Sequence, residues 1–145
     1  DEKLKYYNLP FADKLEELLS KQYIEALNNQ GRLQSHPLSF VRGMSWNCKA
    51  IILDEAQNCT QKEIVTLMTR VGEFSKCFIL ADPDQSDLAY GKSGGFEKLQ
   101  AIFGDDESKE KGIYSFHFTE DDIKRSDLVK FMVKKLKALS PTVRV

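Results

Sequence analysis

Two short apolar runs, each closed by an acidic residue and separated by one helix-length stretch, constrain this chain more than anything else in it. Ala50-Ile51-Ile52-Leu53 leads into Asp54-Glu55-Ala56-Gln57-Asn58, and Cys77-Phe78-Ile79-Leu80-Ala81 leads into Asp82-Pro83-Asp84-Gln85. Apolar runs this short and continuous read as buried parallel strands. Between them, Thr60 and Glu63 have the spacing of a capping box, Ile64, Leu67, Met68 and Val71 recur at helical spacing, and Gly72 supplies a stop. Strand, helix and strand in this order make a right-handed crossover with both strands parallel. Their carboxyl ends then share one edge of the sheet, the edge at which open α/β folds gather functional groups.

The flanking sequence fits an α/β domain. Residues 11–29 carry Phe11, Leu15, Leu18, Leu19, Tyr23 and Leu27 at helical spacing, with Gly31 as the stop, and predict a helix or helix pair. Leu38-Ser39-Phe40-Val41 reads as a short strand or turn before a loop through Gly43 and Trp46. Phe96, Leu99 and Phe103 predict a helix over 94–103, 105–112 a solvated charged turn, and the alternation in 113–118 a strand. Ser126 caps a last helix carrying Leu128, Val129, Met132, Val133, Leu136 and Leu139, which Ser140-Pro141 ends. The organisation expected is one domain over 1–145: a helical segment 1–35, an α/β core 36–139 and a tail 140–145. A start at Asp1 rather than Met suggests a fragment or sub-domain.

Composition excludes some classes. With 145 residues, 41% hydrophobic and 30% charged, the chain is of globular type. A net charge of -1, from 21 basic and 22 acidic residues, gives no global pull toward nucleic acid or anionic membrane. A local basic patch remains, in Lys130, Lys134, Lys135 and Lys137. Cys48, Cys59 and Cys77 lack the paired spacing of a zinc site and read as ordinary thiols of a reducing cytoplasm. No apolar run has transmembrane length and no signal-peptide pattern is present.

The acidic motifs suit phosphoryl transfer, which needs charge compensation and an oriented nucleophile more than covalent chemistry. Asp54, at a strand end, suits Mg²⁺ held through water. Glu55 suits polarisation of an attacking water, and Gln57 a relay of nucleotide state. Gln85 lies 28 residues beyond Gln57, as Asp82 does beyond Asp54. Its amide suits contact with a phosphate oxygen and the water, while Asp82 supports the metal shell or the loop backbone. A phosphate loop needs Gly, four residues, then Gly-Lys-Ser/Thr. Gly91-Lys92-Ser93 gives only its end, since the first glycine position is Ser86. Lys92 and Ser93 therefore touch phosphate at most from the side. Arg42 and Arg70 are candidates for neutralising phosphate, and Arg125 for the γ-phosphate or a neighbouring subunit's nucleotide. The bland alternatives are a helix-capping acidic pair, a dipole role for Arg70 and an ion pair of Arg125 with Asp121 or Asp122. Trp46 is a candidate for base stacking.

These motifs together resemble the PhoH-like family of P-loop ATPases, close in design to the core of superfamily 1 helicases. The resemblance runs through Pro37-Leu38-Ser39-Phe40-Val41-Arg42-Gly43, Asp54-Glu55-Ala56-Gln57-Asn58, Thr69-Arg70-Val71-Gly72, Ala81-Asp82-Pro83-Asp84-Gln85, Lys92-Ser93-Gly94 and Phe118-Thr119-Glu120-Asp121-Asp122-Ile123-Lys124-Arg125. It spans roughly residues 8–139. Ala81 stands where the family has glycine, and Ser126 where histidine is common. The family's N-terminal strand and phosphate loop would precede residue 1. The resemblance implies a partial P-loop NTPase (RecA-like) fold, α/β with a mainly parallel sheet and flanking helices. It also implies binding and hydrolysis of ATP with Mg²⁺, coupling to RNA or single-stranded nucleic acid, ring-shaped homo-oligomers and a bacterial or phage source. A non-catalytic nucleic-acid-binding or assembly module is the alternative, and a carboxylate-metal nuclease a more distant one.

Overall fold

The computed structural model describes residues 9–82, 95–119, 122 and 126–136. It divides into two compact units, residues 1–102 and 103–145.

The first unit opens with helices α1 (Leu9–Leu18) and α2 (Lys21–Asn29), which pack on each other. Ser20 separates them, its hydroxyl accepting the Tyr23 N–H as an N-cap. Gly31, at φ 64°, follows the end of α2 in the left-handed region that an ordinary residue avoids. The helix pair is thus as the periodicity predicts, but its apolar stripe is not a core face: Phe11, Leu18 and Tyr23 are exposed. The Leu38-to-Val41 segment is a short 3-10 turn, Leu38–Phe40, rather than a strand.

Strand β1 (Ala50–Leu53) pairs in parallel with β2 (Lys76–Ile79). The register sets Ile51 opposite Cys77, Ile52 opposite Phe78 and Leu53 opposite Ile79. Helix α3 (Gln61–Met68) is the crossover between them, and its capping box is complete. The Thr60 hydroxyl accepts the Glu63 N–H, and the Glu63 carboxylate accepts the Thr60 N–H at 2.8 Å. Helix α4 (Gly95–Ile102) packs on α3 and on the short turn Ala56–Asn58 that comes after β1. The core lies between these helices and one face of the strands. Leu53, Ala56, Cys59, Ile64 and Leu67 are its buried centre, and Ile51, Cys77, Ile79, Phe96 and Leu99 pack around them.

The expectation of strands buried on both faces is corrected. Side chains alternate across a strand, so Ile52, Phe78 and Leu80 point away from this core, and each stays about half exposed at 48–50%.

Ahead of β1, residues 46–49 are clasped to residues 70–75. Trp46 N–H donates to Arg70 O at 2.9 Å, Gly72 N–H to Trp46 O at 2.8 Å, and Cys48 N–H to Glu73 O at 2.9 Å. Side chains join in: Asn47 Oδ1 accepts the Glu73 N–H, and the Ser75 hydroxyl donates to Trp46 O while accepting the Lys49 N–H. Gly72 is required by proximity, because a Cβ there would fall 1.9 Å from Asn47 Oδ1 and 2.8 Å from Trp46 O.

In the second unit, 106–110 is helical rather than a simple turn. Asp105 caps α5 (Asp106–Glu110) by accepting the Ser108 N–H at 2.8 Å, and Gly112, at φ 85°, lies just past its end. Residues 113–119 form no strand, which corrects the reading of their alternation. A period of two makes a strand only where another strand supplies ladder partners, and Tyr114, Phe116 and Phe118 are exposed. Ser126 caps α6 (Asp127–Leu136) as its position predicts, accepting the Val129 N–H at 3.4 Å. No helix among the described residues is long and apolar enough to cross a membrane.

Candidate functional site

The parallel register carries β1 and β2 to the same edge and sets the exit segments of the two strands side by side. The backbone ladder continues past them: Leu80 N–H donates to Leu53 O at 2.8 Å, and Ala56 N–H to Leu80 O at 2.9 Å. Asp54 and Glu55 therefore leave β1 beside the residues that lead into Asp82. Both are exposed, as is Asp82. Asp54 Oδ1 accepts the Glu55 N–H at 3.0 Å, which orients that carboxylate from its own neighbour.

Glu55 sits at φ 55°, ψ 36°, in the left-handed region. For a side chain with a Cβ this costs about 1–2 kcal/mol. The bend turns the chain abruptly out of the strand, so that Ala56 and Gln57 drop into the core, both buried. Strain of this kind gathers where a side chain must be aimed.

Gln57 is the junction of the site. At 3% exposure it is one of two buried polar residues described. Its Nε2 donates to Glu55 Oε2 at 2.6 Å, and its Oε1 accepts the Asp82 N–H at 3.0 Å. One side chain thus joins the two acidic motifs, 25 residues apart in sequence at this contact. The equal offsets of the two motifs hint at a relation, but the hydrogen bond between them has no signature in the sequence.

The structure brings together Asp54, Glu55, Gln57 and Asp82. It leaves Arg42 exposed, in the turn before Gly43, with no hydrogen bond or ion pair to those four among the described residues. The backbone of Arg70 lies at the amino edge, where its carbonyl accepts from Trp46, at the opposite end of the strands from Asp54. Its Nε is buried without a hydrogen-bond partner among the described residues. Trp46 packs against the core, its ring 6.0 Å from that of His36. Asp122 accepts from the N–H and hydroxyl of Thr119, which hold its carboxyl below the usual range. Gln85, Lys92, Ser93 and Arg125 lie outside the described residues.

Among the described residues no three His, Cys, Asp or Glu side chains gather as a metal cage. Mg²⁺ does not need one. It is commonly held by one or two carboxylates, with waters and substrate phosphates completing the shell. An exposed Asp54 carboxylate at a strand end, pre-oriented by the Glu55 amide, fits that mode. The cysteines take no part: Cys59 and Cys77 face the core, and burial pushes both thiols up, with the Glu63 carboxylate adding to the effect at Cys59.

Comparison with known proteins gives the family. The chain is 33% identical over 134 residues to a PhoH-like protein of Bacillus subtilis (strain 168), covering 92% of this chain and 40% of that protein. It is 30% identical over 125 residues to a PhoH-like protein of Synechocystis, covering 86% and 37%. It is 42% identical over 94 residues to the protein PhoH2 of Bacillus subtilis, covering 62% and 21%. The chain therefore spans well under half the length of these relatives. The family profile described as PhoH-like protein matches residues 1–137, nearly the whole chain. With a small parallel sheet and flanking helices, the chain belongs to the PhoH-like family, an ATPase-related P-loop family.

Proposed function

We propose that this chain supplies the hydrolysis side of an ATP site. The observation that carries the reading is the convergence of Asp54, Glu55 and Asp82 at one carboxyl edge, tied by Gln57. In this reading Asp54 holds Mg²⁺ through water. The ion, when bound, compensates phosphate charge. Glu55 accepts a proton from the attacking water, its carboxylate held by the Gln57 amide. Gln85 and Arg125 complete the catalytic set, with Arg42, Lys92 and Ser93 toward phosphate. The phosphate-gripping loop is not in this sequence, so turnover needs groups from outside these 145 residues. Coupling to RNA or another single strand is part of the proposal, supported by the exposed Lys130, Lys134 and Lys135 on α6. So is homo-oligomerisation.

The test is phosphate release from ATP with Mg²⁺, with and without single-stranded RNA, by any longer coding product that contains this sequence. Glu55→Gln is expected to abolish turnover and spare nucleotide binding, because the amide keeps the shape and loses the base. Turnover unchanged in Glu55→Gln refutes the assignment. Binding of single-stranded RNA by a product with no hydrolysis at all supports the non-catalytic module instead.

A further inference from the structure

We propose that Gln57 is a positioning residue that couples the Glu55 carboxylate to the Asp82 backbone. Its catalytic consequence rests on the hydrolysis reading above, but the coupling itself does not.

The argument is one of polarity and geometry. A carboxylate only accepts and a backbone N–H only donates. Gln57 offers its NH₂ to Glu55 Oε2 at 2.6 Å and its carbonyl to the Asp82 N–H at 3.0 Å. A flipped amide would set oxygen against oxygen and N–H against N–H, so a single orientation satisfies both partners. The contact to Glu55 is short and charge-assisted, the stronger kind. The side chain is buried at 3% exposure, inside the turn that packs against α4. Among the described residues it follows the last backbone hydrogen bond between the strand extensions, Ala56 N–H to Leu80 O. Gln57 therefore serves as a side-chain rung after the backbone rungs end.

Both partners lead beyond Gln57. Asp82 opens the segment that carries Gln85, and Glu55 is exposed on a strained residue. When the Glu55 carboxylate is drawn toward a bound group, the Gln57 amide must follow it or release it. Either response changes the acceptor seen by the Asp82 N–H. Leucine at 57 would break both bonds. Ionised glutamate would keep an acceptor for Asp82 and lose the donor to Glu55, so this variant is read at a pH at which both carboxyls are ionised.

The experiment is amide hydrogen exchange and ¹⁵N NMR on the 145-residue chain without nucleotide, in a double-mutant cycle. Glu55→Ala, at an exposed position, is expected to shift the Asp82 amide resonance and lower its exchange protection. Gln57→Leu is expected to lower that protection about tenfold, the loss of one hydrogen bond, and to abolish any further response to Glu55→Ala. Gln57→Glu is expected to keep protection at Asp82 near the original level while no longer losing it on Glu55→Ala. This conservative variant also serves if Gln57→Leu does not fold. An Asp82 amide indifferent to Glu55→Ala overturns the proposal. So does a response of equal size in the Gln57→Glu background, which would mean that the signal travels by the backbone. Failure of ATP hydrolysis leaves all these outcomes unaffected, so the two readings fail separately.

Discussion

Gly95 is the point where helix packing and the site meet, and Gly95→Ala tests that junction. It is the first residue of α4 and is buried. An added Cβ would lie 2.6 Å from both Cα and N of Gln61 and 2.9 Å from Ile64 Cδ1. The first two atoms are backbone at the start of α3 and cannot rotate away. Reaching an ordinary contact requires α3 and α4 to separate by roughly 0.8 Å, which places the substitution among overpacking changes costing about 1–3 kcal/mol. Alanine's better helix propensity offsets at most about 1 kcal/mol. With the full offset the net loss runs from near zero to about 2 kcal/mol. The displacement also reaches the site, because Gly95 N–H donates to Cys59 O at 3.2 Å, at the end of the turn that carries Gln57. Urea unfolding followed by far-UV circular dichroism gives the stability change as a lower midpoint at unchanged slope. The Asp82 amide resonance reports the displacement. A variant more stable than the original chain, with the Asp82 resonance unmoved, would refute the close approach of α3 and α4.

Two further outcomes rest on local chemistry. The N–H of Thr60, and then its hydroxyl, hold the Glu63 carboxyl below its ordinary range. A lowered carboxyl contributes stability that is present above its unfolded value and lost as pH falls through its folded value. Glu63→Gln should therefore flatten the acid arm of a stability-versus-pH curve, measured by urea midpoints from pH 7 downward, and an unchanged arm would contradict the capping box. Among the three thiols, Cys48 is exposed, Cys59 buried and Cys77 half-buried. A thiol reagent at neutral pH is expected to modify Cys48 first, and Cys59 and Cys77 only on unfolding, which mass spectrometry of timed samples resolves.

The features legible in advance were those that depend on nearest neighbours in the chain. The capping box at Thr60 and Glu63, the Ser126 cap, the strand Ala50–Leu53 and the crossover to the second apolar run are all local patterns, and the structure reproduces them. The failures share one cause. Residues 113–118 alternate as a strand does, yet alternation states a capacity for pairing and not a partner. The stripe through Phe11 and Tyr23 gives the helices correctly but says nothing of what would cover it. The placement of Asp54, Glu55 and Asp82 at one sheet edge was legible because acids at strand ends have a pattern. The Gln57 bond to Asp82 was not, since it depends on a left-handed bend at Glu55 that no sequence rule assigns to glutamate.

The clasp of residues 46–49 on 70–75 has a mechanical consequence. It pins the two strands at their amino ends, through backbone bonds and through the Asn47 and Ser75 side chains. Strands pinned there cannot slide past each other, since a slip of one residue would also turn Leu53 and Ile79 out of the core. The carboxyl edge is bonded as well, by Leu80 N–H to Leu53 O, Ala56 N–H to Leu80 O and the Gln57 side chain. With both ends fastened, neither strand exit can shift without breaking a bond to the other, so the spacing between Glu55 and Asp82 is set by the whole length of the strand pair.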